Sequence, residues 1–252
     1  MAVRPIALIT GASKGIGAET ARLFAKADWD VCVNYHRDAD GAAQTVSECQ
    51  AHGVAAFACQ ADVSDPIAVA EMFSQCDTKL GPVSCVVNNA GIIGGASLLS
   101  QVTETNLQSA FGTNVFGTVY CLKEAVHRMR KDDGGQGGTI INMSSMAATL
   151  GSPGEYVHYA ASKAAVETLT IGAAKELGPL GIRVAAIRVG TTATDIHERE
   201  GNPERPEKIA KATPLGRIAE PEDIGQAAVW LASEQAKFVS GTVLTVSGGF
   251  AP

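Results

Sequence analysis

The sequence has no hydrophobic run that approaches the roughly 18 residues needed to span a bilayer, and none of its six cysteines forms a CxxC pair. It also lacks a basic excess, because 20 Lys and Arg stand against 26 Asp and Glu, a net charge of -6. These absences argue against a membrane partner, a nucleic-acid partner, a disulfide framework and a metal site. The start of the chain lacks a signal-peptide layout, so we expect a cytoplasmic protein.

What the sequence does contain is a regular alternation of strand and helix patterns. Short apolar runs predict seven strands, at residues 6–9, 31–35, 54–60, 83–87, 139–143, 182–189 and 242–246. Helical periodicity predicts helices between them, among them 39–52, 155–177, 221–232 and two within 98–129. With no repeat and no second core, the pattern predicts that residues 1–252 form one doubly wound, Rossmann-type α/β domain, a parallel sheet with helices on both faces.

The first predicted strand leads directly into the glycine-rich turn Thr10-Gly-Ala-Ser-Lys-Gly-Ile-Gly17, after which a helix pattern begins. Strand, glycine turn and helix start are the setting of a dinucleotide-binding loop. Gly11 permits the tight turn, while Gly15 and Gly17 let the backbone approach a pyrophosphate at the helix N-terminus. The spacing differs from the commoner G-x-G-x-x-G, and a turn without a ligand is the alternative.

The end of the second predicted strand bears on which dinucleotide is bound. An acidic residue there would bind the adenosine ribose hydroxyls, but the strand ends at Tyr35 and is followed by His36 and Arg37. Arg37, with Lys14 of the glycine turn, carries charge that would pair with a 2'-phosphate. The sequence therefore favours NADP(H) over NAD(H), although both cations could be solvated surface residues.

Polar residues also follow the third and fourth predicted strands. Asp62-Val63 follows the third, where Asp62 would either accept a hydrogen bond from the adenine amine or cap the helix after Pro66. The turn Asn88-Asn-Ala-Gly91 follows the fourth, at the edge where open α/β sheets bind ligands. Asn114 lies inside a helix pattern and needs a reason, because its side chain competes for backbone hydrogen bonds.

The predicted helix 155–177 carries Tyr159 and Lys163 four residues apart, which places the phenol and the ammonium on one face. A neighbouring cation lowers the pKa of a tyrosine from its usual value of about 10, which suits proton exchange with an alcohol or carbonyl oxygen. A surface tyrosine beside a solvated lysine is the ordinary alternative. Ser144-Ser145 follows the fifth strand, and only one of these hydroxyls can point at the site.

Taken in order, these motifs resemble those of the classical short-chain dehydrogenase/reductase family, nearly from end to end of the chain. The resemblance implies that Tyr159 is the general acid or base, that Lys163 lowers its pKa and holds the nicotinamide ribose, and that Asn114 anchors a water for proton supply. It also implies that a serine bonds the substrate oxygen while hydride moves to or from the nicotinamide. The family's usual spacing favours Ser145, with Ser144 as the minor candidate.

The resemblance implies a cofactor site as well, made of Gly11, Ser13, Lys14, Gly15, Ile16, Gly17, Arg37, Asp62, Val63, Asn89, Ala90, Gly91, Tyr159, Lys163, Gly190, Thr192 and Thr194. Three positions depart from the family pattern: Val189 replaces the proline of a usual Pro-Gly, Ala186 replaces an Asn and Ser247 an Asp. The charged, proline-broken stretch 191–213 is expected to be an irregular substrate lid, with a plain solvated loop as the alternative.

These observations predict an NADP(H)-dependent oxidoreductase that interconverts a secondary alcohol and a ketone. Within the family, the sequence most resembles bacterial 3-oxoacyl carrier-protein reductases and glucose dehydrogenases, which are usually homotetramers. A carrier-protein reductase and a sugar dehydrogenase therefore stay open as alternatives. A non-catalytic dinucleotide-binding regulator is the alternative outside the enzymes.

Overall fold

The computed structural model describes residues 4–194 and 205–250, except for the side chains of Arg205 and Pro206. Its strands are β1 (Ile6–Ile9), β2 (Asp30–Tyr35), β3 (Ala56–Gln60), β4 (Cys85–Asn88), β5 (Gly138–Ser145), β6 (Ile182–Val189) and β7 (Val243–Val246). They form one parallel sheet in the order β3-β2-β1-β4-β5-β6-β7. The order reverses between β1 and β4, so their following loops diverge and leave a crevice at the carboxyl edge.

The helices lie on both faces of this sheet. They are α1 (Gly15–Lys26), α2 (Ala39–Gln50), α3 (Pro66–Lys79), α4 (Glu104–Phe111), α5 (Gly117–Met129), α6 (Ala147–Leu150), α7 (Val157–Leu177), α8 (Arg205–Ala212) and α9 (Pro221–Ala232). Neighbouring strand residues alternate between two cores: Ile9 and Ile141 belong to one, Leu8 and Ile140 to the other. Both faces are therefore apolar, as a doubly wound sheet requires, and the predicted seven-stranded parallel fold is confirmed.

Several element boundaries differ from the sequence predictions. β5 continues two residues further, through Ser145, and a five-residue π-helix, Gly112–Phe116, joins α4 to α5. The prediction that residues 191–213 are irregular is wrong for α8, since a proline is tolerated in the first turn of a helix and Glu207 pairs with Lys211 at 2.8 Å. The rest of the predicted lid, residues 195–204, lies outside the described residues.

The six cysteines are all free and buried. Burial raises the pKa of Cys49, Cys85 and Cys121 to about 12, which keeps these thiols protonated and unreactive. Within the described ranges, no group of three or more His, Cys, Asp or Glu side chains is arranged to hold a metal ion. The described helices also include none with the length and apolar character to cross a bilayer.

Candidate active site

The glycine turn after β1 is held in place by hydrogen bonds to Asn34. Gly11 has a left-handed φ of 62°, and a Cβ there would lie 2.9 Å from the Cα of Ala90. The Gly11 amide donates to Asn34 Oδ1 at 3.1 Å, while Asn34 Nδ2 donates to the carbonyls of Cys59 and Ala61. Asn34 therefore ties the glycine turn to the end of β3. We did not assign it from the sequence, although a polar residue inside an apolar strand was a usable signal.

The start of α1 fits the pyrophosphate of a dinucleotide. No described side chain caps this helix, and its first turn contains no acidic residue. The free amide groups and the positive end of the helix dipole are therefore available to a phosphate. A Cβ on Gly17 would overlap the Gly11 carbonyl, so only glycine permits this tight turn. Asn89 Nδ2 donates to the carbonyls of Thr10 and Gly11, at 2.9 and 3.1 Å. Its amide nitrogen therefore braces the turn from within.

At the predicted adenosine end, Asp62 contacts the side chains of His36 and Ser64. His36 Nε2 lies 3.5 Å from Asp62 Oδ2, and Asp62 Oδ1 accepts from the amide and hydroxyl of Ser64. Although burial raises the pKa of Asp62, these hydrogen bonds and nearby His36 and Arg37 hold it below its usual value. The helix after Pro66 is capped by Asp65, so the capping alternative for Asp62 is wrong. Arg37 is exposed, and the described ranges show no hydrogen bond or ion pair made by its side chain, although its charge acts on Asp62.

Lys163 is buried beside Tyr159 on α7. Its Nζ donates to the Met143 carbonyl at 2.8 Å and lies 5.8 Å from the centroid of the Tyr159 ring. Burial lowers the pKa of Lys163 to about 8. The Tyr159 ring also meets Tyr156 edge to face, with 5.7 Å between centroids. The predicted pairing of phenol and ammonium is therefore present in space.

Asn114 lies in the π-helix between α4 and α5, a geometry that is rare and frequent at functional sites. Its Oδ1 accepts from the Ile92 amide, and its Nδ2 donates to the Ile92 carbonyl and to Ser162 Oγ, each at 2.9 Å. A Cβ placed on Gly91 would lie 3.3 Å from Asn114 Oδ1 and 3.2 Å from Lys163 Nζ. Asn114 therefore holds the loop after β4 next to the lysine ammonium.

The two serines at the end of β5 have different surroundings. Ser144 is 3% exposed, and its hydroxyl donates to Glu167 Oε1 at 2.8 Å on α7. Ser145 is partly buried, and its Oγ accepts from the Ala147 amide at 3.2 Å, which leaves its own proton for another acceptor. This difference supports Ser145 as the substrate-facing serine.

The segment after β6 reaches the glycine turn. Gly190 donates its amide to Val246 at 2.9 Å, a Cβ there would lie 2.8 Å from Ser247 Cα, and Thr192 Oγ1 donates to the Gly190 carbonyl at 3.0 Å. Further on, Thr194 Cγ2 lies 3.3 Å from where a Cβ on Gly15 would be. The predicted cofactor residues from the two ends of the chain therefore meet at one edge of the sheet.

The remaining predicted cofactor residues line the same edge. Ser13 and Ile16 are partly exposed within the turn, Lys14 is exposed, and Val63 is buried against Gly117 of α5. Ala90 donates its amide to Thr10 Oγ1 at 3.0 Å. These residues lie in the segments that follow the carboxyl ends of β1, β3 and β4.

Comparison with known proteins agrees with this geometry. A family model described as enoyl-(acyl carrier protein) reductase matches residues 11–251. The chain belongs to the short-chain dehydrogenase/reductase family. It is 41% identical over 244 residues to the uncharacterised oxidoreductase YgfF of Escherichia coli strain K12, covering 97% of this chain and 99% of that protein. This family member is therefore an oxidoreductase with a nicotinamide-dinucleotide site.

Other relatives have named activities. A 3-oxoacyl-[acyl-carrier-protein] reductase of Staphylococcus aureus strain Mu50 is 36% identical over 243 residues, 96% of each chain. Among solved structures, a 7α-hydroxysteroid dehydrogenase complexed with NADH and 7-oxo glycochenodeoxycholic acid has a TM-score of 0.91 at 37% identity, covering 98% of this chain and 95% of that one. A metagenomic blue fluorescent protein with NADPH has a TM-score of 0.89 at 33% identity, covering 98% of both chains.

Proposed function

We propose that this family member is an NADP(H)-dependent oxidoreductase that interconverts a secondary alcohol and a ketone. The observation that carries the proposal is the buried Lys163 beside Tyr159, at the edge where the glycine turn, Asn114 and Ser145 converge. A non-catalytic dinucleotide-binding regulator would need the glycine turn but not this proton-transfer group.

In the proposed mechanism, the reacting and positioning side chains come from three elements: β5, α7 and the π-helix. The bound cofactor supplies or accepts the hydride. Ser145 donates a hydrogen bond to the substrate oxygen and stabilises the charge that develops there. Tyr159 gives that oxygen its proton in reduction and takes it in oxidation, and Lys163 favours the phenolate. Asn114 holds the loop beside Lys163 and anchors a water that supplies protons.

The substrate is a small carbonyl or alcohol compound in this proposal, with 191–213 as its lid. We test the proposed activity by measuring steady-state oxidation of NADPH with a steroid ketone, a 3-oxoacyl thioester and simple cyclic ketones. An aldose is tested in the opposite direction, by measuring reduction of NADP⁺. We expect turnover of at least one compound and saturation by NADPH. Binding of NADPH without turnover of any compound would favour the regulator.

Arg37 is proposed to pair with the 2'-phosphate of NADP(H), because its side chain is exposed just after β2, where its charge already acts on Asp62. We expect Arg37→Ser to weaken NADPH binding by about tenfold, one charge-assisted hydrogen bond, and to leave the Kd for NADH nearly unchanged. Titration of both cofactors by fluorescence measures this. The control is Arg130→Ser, because Arg130 is a partly exposed arginine that pairs with Asp132 after α5. Tighter NADH than NADPH binding by the wild type would contradict the assignment.

We also propose that the protein is a cytoplasmic homotetramer. Exposed apolar side chains support assembly: Phe238, just before the edge strand β7, is fully exposed, and Trp230 of α9 and Ile171 of α7 are 39% and 41% exposed. Such side chains are compatible with pairing through the long helices α5 and α7 and through α9 with β7.

A further inference from the structure

Behind Ser145 lies a cluster of polar side chains to which the mechanism above gives no role. Ser144, Arg188 and Thr245 are register partners on β5, β6 and β7, so they lie side by side on one face of the sheet. Glu167 of α7 covers this row. We refer to these four residues as the edge clamp.

The contacts within the edge clamp are short and directional. Ser144 Oγ donates to Glu167 Oε1 at 2.8 Å, and Arg188 binds the same carboxylate through Nε at 2.8 Å and Nη2 at 2.7 Å. Arg188 Nη1 also lies 3.5 Å from Thr245 Oγ1. The side chains of Arg188 and Glu167 are only 18% and 13% exposed. A shielded, bidentate pair holds its geometry better than an exposed ion pair.

The edge clamp lies directly behind the candidate catalytic groups. Ser144 is bonded to Ser145, and its Oγ is 3.3 Å from the carbonyl of Lys163. Because the two serines are neighbours on one strand, holding the Ser144 side chain against α7 also fixes the backbone from which the Ser145 side chain projects. On β6, Arg188 holds the strand directly before Val189-Gly190, where the family's usual proline is missing.

We propose that Glu167 is a positioning residue that orients the Ser145 hydroxyl by holding Ser144 and Arg188 in the edge clamp. This inference rests on the proposed function, which gives Ser145 its contact with the substrate oxygen. Displacement of a reacting group by about 1 Å can cost as much as 10²-fold in rate. Loosening the edge clamp therefore has a measurable cost even though Glu167 touches neither substrate nor cofactor.

The kinetic test compares Glu167→Gln in two backgrounds. Glutamine keeps the size of the side chain but removes the carboxylate that binds Ser144 and Arg188 together. In otherwise wild-type protein we expect kcat to fall about tenfold with little change in the KM for NADPH. In a Ser145→Ala background the same change should cost less than about twofold, because the group that it orients is absent. Equal losses in both backgrounds would overturn the proposal.

The matched control is Glu124→Gln, which breaks an ion pair with Arg128 on α5 that is 16% and 23% exposed. It should leave kcat unchanged. A second measurement needs no turnover: amide hydrogen exchange of residues 143–150 in the protein without cofactor. This segment is held by the bonds from Met146 to the Val189 carbonyl and from Ala147 to Ser145 Oγ.

Exchange in this segment should quicken in Glu167→Gln and not in Glu124→Gln. Unchanged exchange in Glu167→Gln would overturn the positioning role, even in an enzyme that reduces ketones. If exchange is faster in Glu167→Gln but the wild type reduces no ketone, the edge clamp positions the segment around Ser145 and the proposed function is rejected. The two failures are therefore distinguishable.

Discussion

Replacement of Tyr159 by phenylalanine is expected to lower kcat for ketone reduction by about 10³-fold, within the range that a positioned proton donor contributes. Phenylalanine keeps the ring that meets Tyr156 edge to face and removes only the hydroxyl. The NADPH site should survive, with Kd weakened by no more than about fivefold, the loss of one neutral hydrogen bond. Steady-state kinetics and a fluorescence titration of the same preparation measure both effects.

Tyr120→Phe is the matched control for this variant. Tyr120 lies on α5 and packs against the core that α7 also covers, so it loses the same atom without touching the crevice. We expect wild-type kcat from it. A Tyr159→Phe protein that keeps more than about a tenth of wild-type kcat would show that another group transfers the proton.

Replacement of Lys163 by methionine is expected to separate activity from stability. The rate should fall by 10² or more, roughly the contribution of an activated proton donor. Stability should rise at pH 7, because the fold buries an ammonium whose pKa is lowered from 10.5 to about 8. That shift corresponds to roughly 3 kcal/mol, from which the lost bond to Met143 subtracts about 1 kcal/mol. The remaining gain of about 2 kcal/mol would raise Tm by roughly 4–8 °C.

The pH dependence of this gain has a definite sign. Lys163 has a lower pKa in the folded than in the unfolded chain, so between about pH 8 and 10.5 the unfolded chain binds more protons. Wild-type stability therefore rises through this window relative to Lys163→Met, and the advantage of the variant shrinks. Thermal unfolding of the cofactor-free proteins at pH 7, 8 and 9.5 tests it. Lys175→Met, at the exposed end of α7, should show no such trend, and a constant advantage for Lys163→Met would contradict the buried ammonium.

The parts of the fold that the sequence predicts well are those set by local pattern. Short apolar runs identified the seven strands found within the described residues, because both faces of a parallel sheet are covered and its strands are mostly apolar. The four-residue spacing of Tyr159 and Lys163 was enough to place them together, since helical geometry brings such residues to one face. The glycine turn could also be predicted from a local pattern, the run Thr10-Gly-Ala-Ser-Lys-Gly-Ile-Gly17.

What the sequence could not supply were contacts between distant residues. The difference between the two serines depends on Glu167, whose carboxylate accepts a hydrogen bond from the Ser144 hydroxyl. The π-helix around Asn114 depends on Ile92 and Ser162, far away in the chain. The helix at Arg205–Ala212 was missed because the charged, proline-containing sequence around it is typical of a loop. For the serines and for Asn114, the deciding partners therefore lie outside the local pattern.

The central claim is that this protein moves a hydride between a nicotinamide cofactor and a carbonyl carbon, with Tyr159 providing the proton. The most direct measurement supplies the wild-type protein with NADPH carrying deuterium at both C4 positions and weighs the alcohol formed from an accepted ketone by mass spectrometry. For the wild type, the account predicts an alcohol with one deuterium on the carbinol carbon. For Tyr159→Phe incubated for the same short time, it predicts no detectable labelled alcohol. NADPH oxidation that leaves the alcohol unlabelled, or NADPH binding with no alcohol from any ketone, would contradict it.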